Sequence, residues 1–403
     1  MKIRVGVMFG GKSTEHEISI ISAIQAINNF DKSKYDIVPI YITKNNEFYI
    51  GENISDIKSY TNLNLLLKSS QRVILVNDDN KAKVIKYPFK KFGNNICAEL
   101  DVIFPIVHGT NVEDGTLQGF ISMLNVPYVG CDVTSSAVGM DKYVMKTVLK
   151  ENNIPVLDCI RYSGYEYDFG VDKIISEIEE KIGYPVIIKP VNLGSSIGIS
   201  LAHDRRELEK SLDTAFGFAD QIIAEHAIKN LKEINCAVLG DTEDAQASEC
   251  EEPVNGDDIL SFEDKYMSGS KGKSGAKSSG SKGMASLKRK IPADISEDTR
   301  EYIRKIAVDA FKCLGCNGVT RIDFMIDMDT DKVYLNEVNT IPGSLSFYLW
   351  ETESIGLPYG KLLDNMINLA LKRDRKNSQI TFSFDSNVLE GINLGSGSKG
   401  SKM

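Results

Sequence analysis

The sequence predicts a chain of mixed α/β and α+β class, with a parallel α/β domain first and hairpin-rich structure after it. Three observations lead there. Over residues 1–130, strand-like apolar runs (KIRVGVMFGG, YDIVPIYIT, RVILV, DVIFPIVHG) alternate with a helix-like stretch, EHEISIISAIQAINNF, which is the pattern of a parallel sheet with helical crossovers. Near the other end, GVTRIDFMID and KVYLNEVN read as two strands of a hairpin. At 403 residues, with 42% hydrophobic and 26% charged content, the chain can build two or three cores.

In order, residues 1–130 form the N-terminal α/β unit. Residues 131–226 hold a helix candidate, SAVGMDKYVMKTVLKENN, and the strands PVIIKPV and SIGISLA around a glycine-rich turn. Residues 227–372 open with the strand EINCAVLG, carry the long helix SEDTREYIRKIAVDAFKCLG, and close with the hairpin. Within them, 261–290 is expected to be a mobile loop. Its core, SGSKGKSGAKSSGSKG (Ser268 to Gly283), is nearly all Gly, Ser and Lys and cannot build a packed unit. Residues 373–403 are expected to be a disordered tail.

The net charge of −9 gives no general case for nucleic acid or anionic membrane as a partner. No apolar run reaches the roughly 20 residues that span a bilayer, and MKIRVGVMFGG reads as a first strand, not a signal peptide. The seven cysteines are an odd number in core-like segments. CLGC, Cys313 to Cys316, lacks a second pair for zinc, so packing thiols in a reducing cytoplasm are expected.

GVMFGGKS, Gly6 to Ser13, matches the phosphate-loop pattern by letter, but Gly6 to Phe9 read as strand, leaving only Gly10-Gly11 as turn. Thr14 and Glu17 have capping-box spacing for the next helix. Glu15 then either favours the helix dipole or holds a cation in the cleft beyond the strand ends. In IIKPVNLGSSIGIS, a lysine leaving an apolar strand before a Gly-Ser-Ser turn offers a charge and directional donors to phosphates; a plain hairpin turn is the alternative.

YLNEVNTIPGS raises a sharper question, because Glu337 and Asn339 are polar where a strand should still pack. They share a face, as do Arg321 and Asp323 in TRIDF. If the connection between the two strands has an odd number of residues, all four share one face of the hairpin. Two carboxylates and an amide oxygen suit Mg²⁺ held against substrate phosphates; an exposed hairpin with salt bridges is the alternative.

These segments, with PIVHGTNVEDGTLQG, PYVGCDVTSSAVGMDK and FEDKY, make residues 1–372 similar to the D-alanine–D-alanine ligase family of the ATP-grasp superfamily. The resemblance implies a two-part ATP-grasp fold after the N-terminal domain, and ligation of two D-alanines through a D-alanyl phosphate for peptidoglycan precursor synthesis. It implies that Lys142, Lys189, Ser196 and Lys265 contact ATP phosphates and that Glu225 and Glu233 bind the adenine and ribose side. Asp323, Glu337 and Asn339 would ligate two Mg²⁺ ions, with Mn²⁺ as a substitute. Arg321 and the backbone N–H of Gly343 would stabilise the oxyanion. Glu15 would hold the first ammonium, linked through Ser195 to Tyr266, and His108 and Glu113 would line the first-substrate pocket.

Tyr348 and Leu349 stand where the family commonly has a small hydroxyl residue and Leu to bind the second substrate, and HGTNVEDG departs from the usual glycine-rich form. Lys265-Tyr266 resembles the branch using an amine as second substrate. D-serine in that role, another ATP-grasp carboxylate–amine ligase, a non-catalytic ATP-binding module and a P-loop nucleotidase using Lys12 stay open as alternatives. The family also implies a cytoplasmic homodimer.

Overall fold

The computed structural model describes residues 2–79, 81–253 and 289–380. Residues 254–288, with Lys265, Tyr266 and the Ser268 to Gly283 segment, lie outside the described residues, as does the tail from 381.

The first sheet has seven strands: β1 (Ile3–Gly10), β2 (Tyr35–Ile42), β3 (Phe48–Ile50), β4 (Gln71–Asp78), β5 (Lys81–Lys86), β6 (Ile96–Leu100) and β7 (Val102–Ile106), in the order β6-β5-β4-β3-β2-β1-β7. Only β2, β1 and β7 run parallel. The other four strands extend the sheet antiparallel; the links 43–47, 79–80 and 87–95 are short enough to return the chain as hairpins, whereas the link 51–70 carries the helix Leu63–Ser69. The expected parallel domain is thus three parallel strands at one end of the sheet with an antiparallel wing beside them. β1 is the middle strand of the parallel three, and its last six residues are buried, which is why it reads as an unbroken apolar run.

β1 continues through Gly10, so Gly6 to Phe9 are strand, and the phosphate-loop reading fails on geometry. Helix α1 (His16–Asn29) starts later than the Thr14–Glu17 spacing suggested. Its N-cap is Glu15, which makes no side-chain cap. His16 replaces the capping box as the clasp of the turn: Nδ1–H donates to Gly11 O (2.7 Å), and the Tyr41 hydroxyl donates to Nε2 (2.9 Å).

Helices α2 (Leu63–Ser69), α3 (Thr116–Ser122) and α4 (Val133–Met140) lead to α5 (Lys142–Glu151). A four-stranded sheet follows, β10-β9-β11-β8, from β8 (Cys159–Ser163), β9 (Val186–Pro190), β10 (Ser200–Ala202) and β11 (Gln221–His226). The third sheet, β14-β13-β12-β15-β16, contains β12 (Leu231–Gly240), β13 (Ala245–Pro253), β14 (Arg289–Lys290), β15 (Gly318–Asp327) and β16 (Lys332–Asn339). The long helix Glu297–Cys313 packs on it, and the last helix, Tyr359–Asn377, runs past residue 372, beyond which the sequence suggested a tail.

Two of the three apolar cores lie under the second and third sheets. The first does not respect the expected boundaries. Leu345, Leu349, Trp350 and Leu363, from the chain's last third, pack in one cluster with Phe9, Ile40 and Phe104. That shared burial fixes the segment after β16 against the N-terminal sheet.

Gly10 has φ +94°, and a Cβ there would lie 2.3 Å from the Ile42 carbonyl oxygen. Gly183 also has positive φ (+72°), with nothing within 4 Å of its missing Cβ. Chemical denaturation of Gly10→Ala is expected to show a loss of roughly 3 kcal/mol or more. Gly183→Ala should lose only about 1–2 kcal/mol, the left-handed backbone cost alone. Equal losses would mean that the contact at Ile42 is irrelevant.

Candidate active site

The β15–β16 hairpin answers the question raised by Glu337 and Asn339. Arg321 pairs with Asn339 and Asp323 with Glu337, whereas Phe324 pairs with Leu335. Asn336 is the extra, bulged residue. An antiparallel pair places opposed side chains on one face, and a single inserted residue shifts every later side chain to the other face. Without the bulge, Glu337 and Asn339 would face away from Asp323.

Register carries the polar row further, since Glu251 on β13 pairs with Asn235 on β12, and Asn235 with Asp323. Glu233 lies two residues before Asn235 on β12, hence on the same face. Glu251 and Asn235 escaped the sequence reading, although ECEE and EINC carry the alternating polar positions that could have revealed them.

Arg321 grips Asp323 with two hydrogen bonds of 2.7 Å, from Nε and Nη2. Asn339 Nδ2 donates to Asp323 Oδ2 at 3.0 Å. Burial pushes Asp323 up to about 6; Arg321 pulls it down, while Glu337 and Glu251 add to the rise. Among the described residues, no three His, Cys, Asp or Glu side chains group as a metal site. A metal here would draw on two carboxylates, the Asn339 amide turned to present its oxygen, and substrate oxygens. That all-oxygen set fits Mg²⁺, and the mutual repulsion of its carboxylates is what a cation would relieve.

Opposite the row stand three lysines. Lys142 opens α5, where its Nζ donates to Leu193 O (2.7 Å) and lies 3.7 Å from Glu337 Oε2. Burial lowers its affinity for a proton, and Glu337 offsets part of that. Lys189, on β9, binds Glu225 and reaches Asn336 Oδ1 at 3.2 Å. Lys146 holds the other Glu225 oxygen at 2.5 Å. Burial alone would raise Glu225, but the two ammoniums prevail and hold it at about 2. Lys146 was missed, yet the signal was present: Lys142, Met145, Lys146 and Leu149 form the buried face of α5, so two lysines occupy apolar-stripe positions.

Glu15 accepts a hydrogen bond from Ser195 Oγ. Gly109 and Gly194 admit it: a Cβ on either would lie 2.8 and 3.1 Å from Glu15 Oε2. Ser195 and Ser196 both have positive φ, which folds the Gly-Ser-Ser turn toward Glu15. A cavity of about 50 Å³ is lined by Glu15, Glu113, Lys142, Ser195, Glu337 and Asn339, among others.

His108 and Glu113 act chiefly on the loop after β16. His108 is buried, and its Nδ1–H donates to Ile341 O (2.8 Å). The Ser22 hydroxyl donates to Nε2 (2.9 Å) and accepts the Ser344 N–H (2.9 Å). Glu113 accepts N–H bonds from Gly109 (2.9 Å) and Ile341 (2.8 Å). Of the two, Glu113 also borders the cavity.

Tyr348 and Leu349 are placed differently from the sequence expectation. The Tyr348 hydroxyl bonds Glu251 Oε1 (3.2 Å), and the Arg289 guanidinium stacks over its ring (3.9 Å). Leu349 is fully buried in the first core, a packing position instead of a pocket-lining one.

The fold agrees with the comparisons. Two family profiles match, "D-ala D-ala ligase N-terminus" over residues 4–131 and "D-ala D-ala ligase C-terminus" over 148–368. A D-alanine–D-alanine ligase of Thermosipho melanesiensis is 39% identical over 389 residues, covering 96% of this chain and 98% of that one. One from Clostridium novyi is 40% identical, covering 93% and 100%. Among solved structures, the D-alanine–D-alanine ligase from Coxiella burnetii superposes with a TM-score of 0.75 at 32% identity, covering 94% and 96%. The VanG D-Ala:D-Ser ligase from Enterococcus faecalis gives 0.74 at 30% identity, covering 92% and 100%.

Burial lowers His108 to about 4 and raises Glu113 to about 7. The buried neutral His108 contributes stability that is lost as pH falls from 6.5 to 4. Glu113 acts oppositely: the folded state resists its ionisation, so stability falls as pH rises from 4.5 to 7. Each effect is about 3 kcal/mol. In urea titrations across pH, the stability deficit of His108→Gln against the parent should narrow toward low pH. That of Glu113→Gln should narrow toward pH 7. Deficits that stay parallel would remove both groups from the account.

Proposed function

The chain belongs to the D-alanine–D-alanine ligase family, and from that premise we propose how its own residues join two D-alanines at the expense of ATP. The first D-alanine's carboxylate takes the γ-phosphoryl group of ATP. The amine of the second attacks the resulting acyl carbon, and the tetrahedral intermediate expels phosphate to leave the dipeptide.

The first substrate's ammonium is assigned to Glu15, whose carboxylate is oriented by Ser195. Lys142 and Lys189 receive the phosphates, with Ser196 and the backbone of its turn as directional donors. Glu225 and Glu233 take the adenine and ribose. Mg²⁺ at Asp323, Glu337 and Asn339, with Mn²⁺ as a substitute and two ions in all, would neutralise charge on the transferring phosphoryl group. Arg321 is held rigid by Asp323, and with the Gly343 N–H it faces the developing oxyanion as a preorganised donor. Lys265 and Tyr266 complete the proposal from the loop, keeping water from the acylphosphate.

The observation that carries the reading is the pairing of Asp323 with Glu337, which with Lys142 lines a cavity that also reaches Glu15. An exposed salt-bridged hairpin would have no reason to bury these charges together. The cysteines are free thiols and, among the described residues, no helix is long and apolar enough to cross a membrane. A cytoplasmic homodimer belongs to the proposal.

The test is phosphate release from Mg²⁺-ATP with D-alanine, alone and in competition with D-serine, D-lactate and L-alanine, with products identified by mass. D-Alanyl-D-alanine is the expected product. Arg321→Ala should lower kcat by about 10²–10³-fold, and Lys12→Ala should change it little. Dominant D-alanyl-D-serine would transfer the chain to the mixed-product branch. Nucleotide binding without any dipeptide would overturn the assignment.

A further inference from the structure

Glu225 has one more cation than it needs. Its carboxylate lies between Lys146 and Lys189, with 1% of its side chain exposed against 3% for Lys146 and 7% for Lys189. The two lysines differ in what else they touch. Lys146 also donates to Leu157 O at 3.3 Å. Lys189 also donates to Asn336 Oδ1 at 3.2 Å, beside the Asp323–Glu337 pair, where phosphates are expected. One lysine therefore belongs to the buried end of the site and the other to its reacting end.

A carboxylate with a single partner could not serve both ends. If Lys189 left for the phosphates, Glu225 would stay buried and unpaired, which is strongly unfavourable. It would either draw Lys189 back or take up a proton. With Lys146 in place, Lys189 can leave and a paired carboxylate remains. We propose that Lys146 is a positioning residue that keeps Glu225 a carboxylate while Lys189 engages phosphate, and so makes the site prefer a purine with a 6-amino group over one with a 6-oxo group.

The selectivity follows from hydrogen-bond inventory. An ionised carboxylate only accepts, which suits an exocyclic amine and repels a carbonyl oxygen. A protonated one can donate to a 6-oxo group as well, and the discrimination collapses. The inference rests on the assignment of Glu225 to adenine made above.

The experiment measures steady-state phosphate release by the full-length protein with D-alanine, using ATP and ITP in turn. The parent should prefer ATP. Lys146→Met, which keeps length and removes charge, should raise KM for ATP at least tenfold and cut the ATP:ITP preference in kcat/KM at least tenfold. KM for D-alanine should stay within about twofold, and Lys146→Arg should restore most of the preference. Equal losses with both nucleotides, or a parallel rise in KM for D-alanine, would reduce Lys146 to a structural residue and overturn the proposal, as would a parent indifferent to the base. If Lys146→Met does not fold, Lys146→Gln carries the same readout. A parent that turns over neither nucleotide would instead defeat the ligase reading, and equilibrium binding of ATP against ITP to parent and variant would still decide the role of Lys146.

Discussion

The bulge at Asn336 is the constraint on which the site depends. The turn between β15 and β16, residues 328–331, has an even number of residues, and a regular ladder from it would set Asp323 opposite Asn336. One inserted residue converts that register and puts both carboxylates, Arg321 and Asn339 on one face. The bulged residue itself is used, since Asn336 Oδ1 accepts from Lys189. A local defect in pairing thus creates the electrostatic row and links it to the sheet that carries Lys189.

The row would be of little use if the loop after it could wander. Ser344, Leu345 and Ser346 all have positive φ (52°, 53° and 48°), a conformation that costs non-glycine residues about 1–2 kcal/mol each. Such a turn persists only where its surroundings over-determine it. Here they do: His108 and Glu113 hold Ile341, Ser22 and Gln25 hold Ser344, and Leu345 and Trp350 are fully buried. Side chains of the N-terminal domain thereby fix the backbone on either side of Gly343.

What was legible in the sequence follows the same division. Strands, the long helices and the face shared by Glu337 and Asn339 could be read because period and spacing are local properties. The hairpin parity could be posed as a condition, but its resolution by a bulge could not, because nothing in Asn336 alone marks it as the unpaired residue. His108 and Glu113 were found as residues, but their hold on Ile341 was not, because Ile341 is more than 200 positions away and tertiary packing alone brings it to them. The antiparallel wing was missed for a different reason: β4 was read as a strand without its direction, β3 and β6 are only three and five residues long, and the three lysines of β5 (KAKVIK) weaken its apolar alternation.

Lys142, Lys146 and Lys189 show why buried charge here reads better as function than as stability. A buried ion pair contributes little net stability compared with a well-packed apolar pair, and three lysines and the Glu225 and Glu337 carboxylates in one region are a poor way to hold a fold together. The arrangement becomes sensible when its charges are counted by position. At the reacting end, Lys142 and Lys189 present positive charge toward the Asp323–Glu337 pair, so a phosphate arriving with a cation would satisfy both sides at once. At the inner end, Lys146 keeps Glu225 paired and ionised, ready for the adenine proposed there. Under the proposed function, one ion pair stays intact at the inner end while Lys142 and Lys189 are left to face the phosphates.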